Sequence, residues 1–341
     1  MKEKIVSIVI PTYNMEDYLE RCLNSVLTEE TKEQTEIIVV NDGSKDKSLE
    51  IAKSYQQRFP DTLIVVDKSN GNYGSCVNKA LEIATGKYFR ILDADDWFDT
   101  DGFIKYVEHL QHYTVDMVIT NHAIVYNNGK KDICNFDFKE TDKEILIDSD
   151  DFSKINVDRD FVMHKITYSM ALLKSVDLRL LEGISYTDAE YVFYPLANVR
   201  SVVFLDVLLY NYLMGRPGQT VSISSKKAHL SDLKKIVNRM IDSKLAPAHT
   251  NRLKAQQIFL TRVFAGYYHT LLVVQGLTKS NRRELALTDA DIWKFDREIY
   301  ERLNKIKTLG IPFIRYWRKY HIQVIFPCLY RLLHKVYYSA S

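Results

Sequence analysis

The chain has 341 residues, 46% hydrophobic and 26% charged, which is enough for a sizeable core and two domains and excludes a disordered polyampholyte. Its net charge of +2 hides an asymmetry: no Asp or Glu follows Glu301, the eight Lys and Arg beyond it carry +8, and −6 is left for the rest. The four cysteines, Cys22, Cys76, Cys134 and Cys328, lack metal-type spacing and read as reduced thiols, and no stretch is long and apolar enough to span a bilayer.

In chain order, Ile5 to Ile10 is a branched apolar run that reads as a strand, stopped by Pro11-Thr12-Tyr13-Asn14. The two lysines and short apolar run at the start are too short for a signal-peptide core. Glu16 to Leu27 has helical spacing, and Glu36 to Val40 is a second strand. Asn41-Asp42-Gly43-Ser44 is a turn, with Ser44 the expected N-cap of a helix running to about Arg58. Leu63 to Val66 is a third strand. Asn70 to Ser75 is a Gly-rich loop, followed by a helix from Val77 to Ala84 that Gly86 ends.

Tyr88 to Leu92 is the fourth strand, and Asp93, Asp95 and Asp96 stand at its end. Asp is a poor strand residue and costly to bury. A cluster at a strand end suits a divalent cation, because hard cations take carboxylate oxygens together with substrate phosphates. The competing reading is capping, since Asp99 or Thr100 can open the next helix. Capping accounts for one or two of these acids, not for the cluster.

Strand and helix alternating at short spacing predict a parallel α/β sheet, and uninterrupted apolar strands predict cover on both faces. Ligands in such sheets bind beyond the carboxyl ends of the strands. Polar groups from four separate segments, at Pro11–Asn14, Asn41–Ser44, Asp67–Gly71 and Asp93–Asp96, are expected to open onto that one edge.

Taken together and in order, Ser7-Ile8-Val9-Ile10-Pro11-Thr12-Tyr13-Asn14, Val40-Asn41-Asp42-Gly43-Ser44 and Leu92-Asp93-Ala94-Asp95-Asp96 resemble glycosyltransferase family 2. The resemblance covers roughly the first third of the chain. It implies a GT-A fold, a Rossmann-like, mostly parallel mixed sheet flanked by helices. It also implies inverting transfer of a sugar from a nucleotide-sugar donor, UDP-linked by preference, with Mn2+ or Mg2+. Position by position, it places Pro11, Thr12 and Tyr13 along the base pocket and gives Asp42 a hydrogen bond from the base. Lys68, Asn70 and Gly74 would border base and ribose, Asp93 would face the ribose, and Asp95 would hold the metal on the diphosphate. Asp42 read alone is also an Asx-turn before Gly43.

Further on, Asp116 to Ile119 is a strand, and Asn127-Asn128-Gly129 is a hairpin turn within a polar stretch, Thr120 to Asp151, where the acceptor side is expected to begin. The resemblance implies a helix in Met163 to Leu173, where His164 and Lys165 are polar candidates better explained as surface or satisfied core residues. Relatives in the family carry a Glu-Asp pair where this chain has Thr187-Asp188. The resemblance makes Asp188 the base that deprotonates the acceptor hydroxyl, with Glu190 a substitute or partner for the missing Glu. The plain reading of Asp188 is an N-cap. Val202 to Tyr212 contains a strand. After it, Gly215-Arg216-Pro217-Gly218 resembles a lid over the donor diphosphate, with Arg216 on the phosphates.

The chain is therefore expected to divide into a GT-A domain, 1–224, and a helical region, 225–341. The segment 311–338, aromatic, aliphatic and basic without acids, suits an interfacial membrane contact or a packed helix with a solvated basic face. The family resemblance implies a glycan or lipid-linked glycan acceptor in surface polysaccharide synthesis, and a cytoplasmic protein at the inner face of the membrane. No nucleic-acid module accompanies the basic residues. A dinucleotide oxidoreductase requires Gly-x-Gly-x-x-Gly where Pro11-Thr12-Tyr13-Asn14 stands. A nucleotide-sugar-binding scaffold subunit and a nucleotidyltransferase remain the alternatives.

Overall fold

The computed structural model describes residues 4–136, 141–216, 218–220 and 222–325. The chain divides into two compact units. One takes the described residues of Met1–Pro217 with Ala246–Arg252, the other those of Gly218–Leu245 with Leu253–Ser341.

In the first unit the alternation of apolar runs and amphipathic helices folds as expected. The strands β1 (Val6–Thr12), β2 (Thr35–Asn41), β3 (Leu63–Asp67) and β4 (Tyr88–Ile91) pair in parallel, in the order β3-β2-β1-β4. Val6, Ile8, Val9, Ile10 and Ile37 to Val40 are fully buried, which is what a sheet covered on both faces requires. The cover comes from α1 (Leu19–Val26), α2 (Ser48–Arg58) and α3 (Asn72–Ile83). Beyond β4 the sheet becomes mixed. After β5 (Trp97–Phe98) and α4 (Thr100–Leu110) come β6 (Met117–Tyr126), β7 (Lys131–Cys134), β8 (Glu144–Leu146), a short helix α5 (Val157–Asp160), β9 (Ile166–Ser169), α6 (Met170–Ser175), α7 (Asp188–Leu196) and the long β10 (Ser201–Met214). The order continues β4-β9-β6-β10-β5, with β9 antiparallel to both neighbours and β6 parallel to β10.

A buried network fixes β4 against β1 and so sets where the Asp cluster emerges. Glu36 accepts from Ser7 Oγ at 2.6 Å, from Thr85 N at 2.9 Å and from Thr85 Oγ1 at 2.8 Å. Gly86 N donates to Ser7 Oγ at 2.9 Å, and a Cβ on Gly86 would lie 2.5 Å from Ser7 N, so a larger residue there would shift the register. Arg90, fully buried in β4, donates to the carbonyl of His164 at 2.5 Å and to Thr167 Oγ1 at 2.9 Å, and its guanidinium lies near the Phe98 and Tyr106 rings.

Several local expectations are corrected. Pro11 does not stop β1: pairing with β4 ends at Val9↔Ile91, so the missing N–H of Pro11 costs no ladder bond on that side. Ser44 caps no helix, because its Oγ accepts from Asn14 N at 3.0 Å and α2 begins at Ser48. The helix placed at Val77 starts at Asn72, within the Gly-rich loop. Met163 to Leu173 is a 3-10 turn (Met163–Lys165), β9 and the start of α6 rather than one helix. Asp99 does cap α4, its Oδ1 accepting from Gly102 N at 2.9 Å. The Asn127–Gly129 turn does join an antiparallel pair, β6 and β7, with Gly129 at φ 84°.

The second unit is helical among its described residues: α8 (Ile223–Ala228), α9 (Leu230–Ile241), the part of α10 (Asn251–His269) from Leu253, a π-helical turn (Thr270–Gln275), α11 (Lys279–Phe295), α12 (Arg297–Leu303) and α13 (Phe313–Tyr320). Its core is built on Tyr267, Tyr268 and Trp317, with Arg318 on Asp289 at 2.8 Å and over the Tyr300 ring at 3.5 Å. No helix among the described residues is long and apolar enough to cross a membrane.

Candidate functional site

Parallel pairing of β1 to β4 brings their carboxyl ends to one edge, and the polar residues singled out in the sequence gather there. Thr12, 1% exposed, ends β1, and its carbonyl accepts from Asp42 N at 2.8 Å; Tyr13 beside it is 45% exposed. Asp42 is buried at the end of β2. Its Oδ1 accepts from the Lys68 ammonium and from Gly71 N at 2.9 Å, its Oδ2 accepts from Asn72 N at 2.8 Å, and its carbonyl accepts from Asn70 Nδ2 at 2.9 Å. Asp42 thus caps α3 from 30 residues away. Lys68 also donates to Ser75 Oγ at 2.8 Å. The Asp42 carboxylate accordingly has a structural duty besides any hydrogen bond to a base.

Beyond β4 the three acids have different surroundings. Asp96 is buried and committed to the protein, its oxygens accepting from the Tyr210 hydroxyl at 2.6 Å and from Leu213 N at 2.7 Å. The Tyr210 oxygen in turn accepts from Asp93 N at 3.2 Å. Asp93 Oδ1 accepts from the Tyr73 hydroxyl at 2.9 Å, and Asp95 Oδ2 takes the Arg216 guanidinium. Arg21 donates to the Asp95 carbonyl at 2.8 Å while stacking on Trp97, its charge 3.7 Å from the ring centre.

Burial, then the Asp95 charge, pushes the Asp93 carboxyl up to about 7. Asp96 is raised well above the usual carboxylate range by burial and then by Asp95 and Asp93. Burial and mutual repulsion thus disfavour ionising all three carboxyls at once. The described hydrogen bonds use one oxygen each of Asp93 and Asp95, and the other takes none among the described residues. Open carboxyl oxygens from acids that crowd one site fit a hard divalent cation, whose charge would favour their ionised forms. Ligand atoms of Asp93, Asp96 and His164 also fall within 4.8 Å of one another. The His164 ring lies between Tyr210 (4.9 Å) and Tyr212 (4.5 Å), and burial holds its pKa down to about 4, leaving it neutral.

Asp188 is the first residue of α7 and is exposed, with Thr187 as the N-cap position making no side-chain cap. Its charge is among those that raise Asp93, Tyr73 and Tyr212, which puts it beside the same cluster although it stands 95 positions after Asp93. The Thr187 hydroxyl is buried without a hydrogen-bond partner among the described residues, and Glu190 is fully buried, accepting from Leu181 N at 2.7 Å. Gly74 does not border the Asp42 loop through open space: a Cβ there would lie 2.0 Å from the Leu181 carbonyl. Gly215, at φ 101°, bends the chain after β10 to present Arg216, while Pro217 of the expected lid lies outside the described residues. Sequence reasoning missed Tyr73, Tyr210 and Arg21 and dismissed His164. Tyr73 alone had a local signal, an aromatic inside a Gly-rich loop.

The glycosyl transferase family 2 pattern matches residues 7–171. The uncharacterized glycosyltransferase MG025 of Mycoplasma genitalium is 30% identical over 229 residues, 64% of this chain and 71% of that protein. Its homolog in Mycoplasma pneumoniae is 35% identical over 119 residues, and the match spans 34% of this chain and only 38% of that relative's length. Among solved structures, residues 1–349 of Staphylococcus aureus TarS superpose with a TM-score of 0.64 at 22% identity, covering 99% of this chain and 92% of that one; the same protein has been solved with UDP-GlcNAc.

Proposed function

The chain belongs to glycosyltransferase family 2, and on that premise we propose that it moves a sugar, with inversion, from a UDP-sugar to a hydroxyl of a glycan or lipid-linked glycan acceptor in surface polysaccharide synthesis. The observation that carries this reading is the convergence of the Asp42 loop, the Asp93–Asp96 cluster, Arg216 and Asp188 at the carboxyl edge of one sheet. The TarS complexes with UDP and UDP-GlcNAc support a uridine donor.

In the proposed reaction the acceptor oxygen attacks the anomeric carbon, its proton passes to Asp188, and the bond to the diphosphate breaks to release UDP. Asp188 suits the base because it is exposed to an incoming hydroxyl yet held at a helix start beside the cluster. Pro11, Thr12 and Tyr13 would line the base. Asp42, Lys68 and Asn70 would hold the loop that borders base and ribose, and Asp93 would face the ribose. Arg216 would turn from Asp95 to the phosphates, where a guanidinium binds oxygen pairs well. A Mn2+ or Mg2+ ion held by Asp95, with Asp93 alongside, would supply Lewis-acid neutralisation of the leaving diphosphate. Calorimetry of UDP binding with and without Mn2+ tests the donor side; absence of binding under both conditions would refute it.

We place the protein in the cytoplasm against an anionic membrane surface. The apolar face of α13, Phe313, Ile314 and Trp317, is buried in its own unit, as the packed-helix reading held. The opposite face shows Tyr316 (41% exposed) stacked at 6.0 Å on Tyr320 (50% exposed), with Arg315 and Lys319 exposed and Ile322 following. Aromatic and cationic groups without acids suit a lipid interface. The rest of the expected contact, 326–338, lies outside the described residues.

A further inference from the structure

The loop that leads to Asp188 is stitched on both sides. On one side stands α3, which begins in the Asp42-clasped loop. Asn78 on α3, 3% exposed, clips the backbone of Leu180: its Oδ1 accepts from Leu180 N at 2.8 Å, and its Nδ2 donates to the Leu180 carbonyl at 2.9 Å and to Glu182 Oε1 at 2.9 Å. Gly183 N donates to the Gly71 carbonyl at 2.7 Å. At Gly74 the two backbones touch so closely that a Cβ would fall 2.0 Å from the Leu181 carbonyl. On the other side Glu190, fully buried on α7 two residues after Asp188, accepts from Leu181 N at 2.7 Å.

The segment 180–183 therefore ties the start of α3 to the start of α7. Gly71 and Asn72, whose amides bind Asp42, open α3, and Gly71 also gives its carbonyl to Gly183, while Asn78 holds the same segment from the middle of the helix. Tyr73 next to them donates to Asp93 and is raised by the charges of Asp93 and Asp188 after burial.

We propose that Asn78, Gly74 and Glu190 are positioning residues that couple the base Asp188 to the nucleotide-binding loop 68–75, so that filling the nucleotide site also sets the base. This rests on the donor site proposed above and adds to it. It also gives Glu190 a role other than that of a substitute acid. Its carboxylate is buried and accepts from a backbone amide, so the role requires an acceptor oxygen at that place.

The test is amide hydrogen exchange of the whole protein with and without UDP and MnCl2. In the wild type UDP slows exchange in peptides over 68–75 and also over 178–188. In Asn78→Ala the slowing at 68–75 persists and that at 178–188 is lost. Glu190→Gln, which keeps an acceptor oxygen, retains the response at 178–188, and Glu190→Ala loses it. Should Asn78→Ala fail to fold, the wild type and the Glu190 pair decide. Slowing at 68–75 with no change at 178–188 in the wild type overturns the coupling and leaves the donor site standing. An unchanged response in Glu190→Ala overturns it equally. No slowing at either segment overturns the donor site, and the coupling with it.

Discussion

Arg216, just past β10, pairs through its guanidinium with the Asp95 carboxylate just past β4, joining positions 121 residues apart across the mouth of the site. An ion pair between two groups with separate proposed duties, one on phosphate and one on metal, must be exchanged when a diphosphate arrives.

Arg216→Ala is therefore expected to raise the KM for a UDP-sugar by about tenfold or more, the scale of one charge-assisted contact. Arg216→Lys should recover only part of this, because an ammonium cannot bind two oxygens in a fork. Steady-state kinetics with the donor varied measures both. An unchanged KM in Arg216→Ala would remove the arginine from the donor site.

Asp188→Asn keeps the shape of the helix start and removes the proton acceptor. Transfer should fall by roughly 10²-fold or more, with the UDP dissociation constant within about twofold of wild type. A variant that still transfers at the wild-type rate would return Asp188 to the plain role of capping α7.

His122 tests the electrostatics of the sheet behind the site. It is 8% exposed on β6, its Nδ1 has no hydrogen-bond partner among the described residues, and its ring stacks on His164 at 5.7 Å. Burial, followed by the neighbouring His164, Lys165, Arg90 and Arg159, holds its pKa down to about 3. The folded form thus keeps His122 neutral, while the unfolded chain takes up a proton below the ordinary value of about 6.5. Its contribution is complete above that pH and is lost on acidification, at about 1.4 kcal/mol per pH unit from this residue. Denaturant midpoints measured from pH 7 to pH 5 should fall less steeply in His122→Phe than in wild type. Equal slopes would contradict a buried neutral histidine.

For the membrane reading, sedimentation with vesicles containing phosphatidylglycerol should carry down the wild type at low salt and less of it at high salt. Tyr316→Ala with Tyr320→Ala should weaken binding about tenfold while leaving the buried Trp317 face intact. Equal binding to neutral vesicles would count against an anionic surface.

The sheet was legible because its strands are apolar on both faces, and the Asp cluster was legible because acids at the end of such a strand have no structural excuse in numbers. What the sequence hid are partnerships across long separations. Asp42 supplies the cap of α3 from 30 residues away, so the helix extends back into a stretch whose local signals, Asn70-Gly71-Asn72, read as loop. Tyr210 braces Asp96 from 114 residues away, and its own strand gives no sign of it. Ser44 has the residue type of a cap, but the Asn14 amide claims its hydroxyl and Ser48 opens the helix instead. The missing Glu before Asp188 was visible, whereas only the fold shows that Glu190 faces the Leu181 amide and that the Thr187 hydroxyl is buried without a partner among the described residues.

On the proposed function, the edge formed by Asp42, Asp93, Asp95, Arg216 and Asp188 cleaves a UDP-sugar. This is tested most directly by UDP release from a panel of UDP-sugars, with and without MnCl2, in wild type and Asp95→Ala. Slow, Mn2+-stimulated release from one member of the panel, lost in Asp95→Ala, is the expected result. Release that ignores Mn2+ and survives Asp95→Ala would contradict the assignment of that carboxylate, and no release from any donor together with no UDP binding would contradict the proposed activity itself.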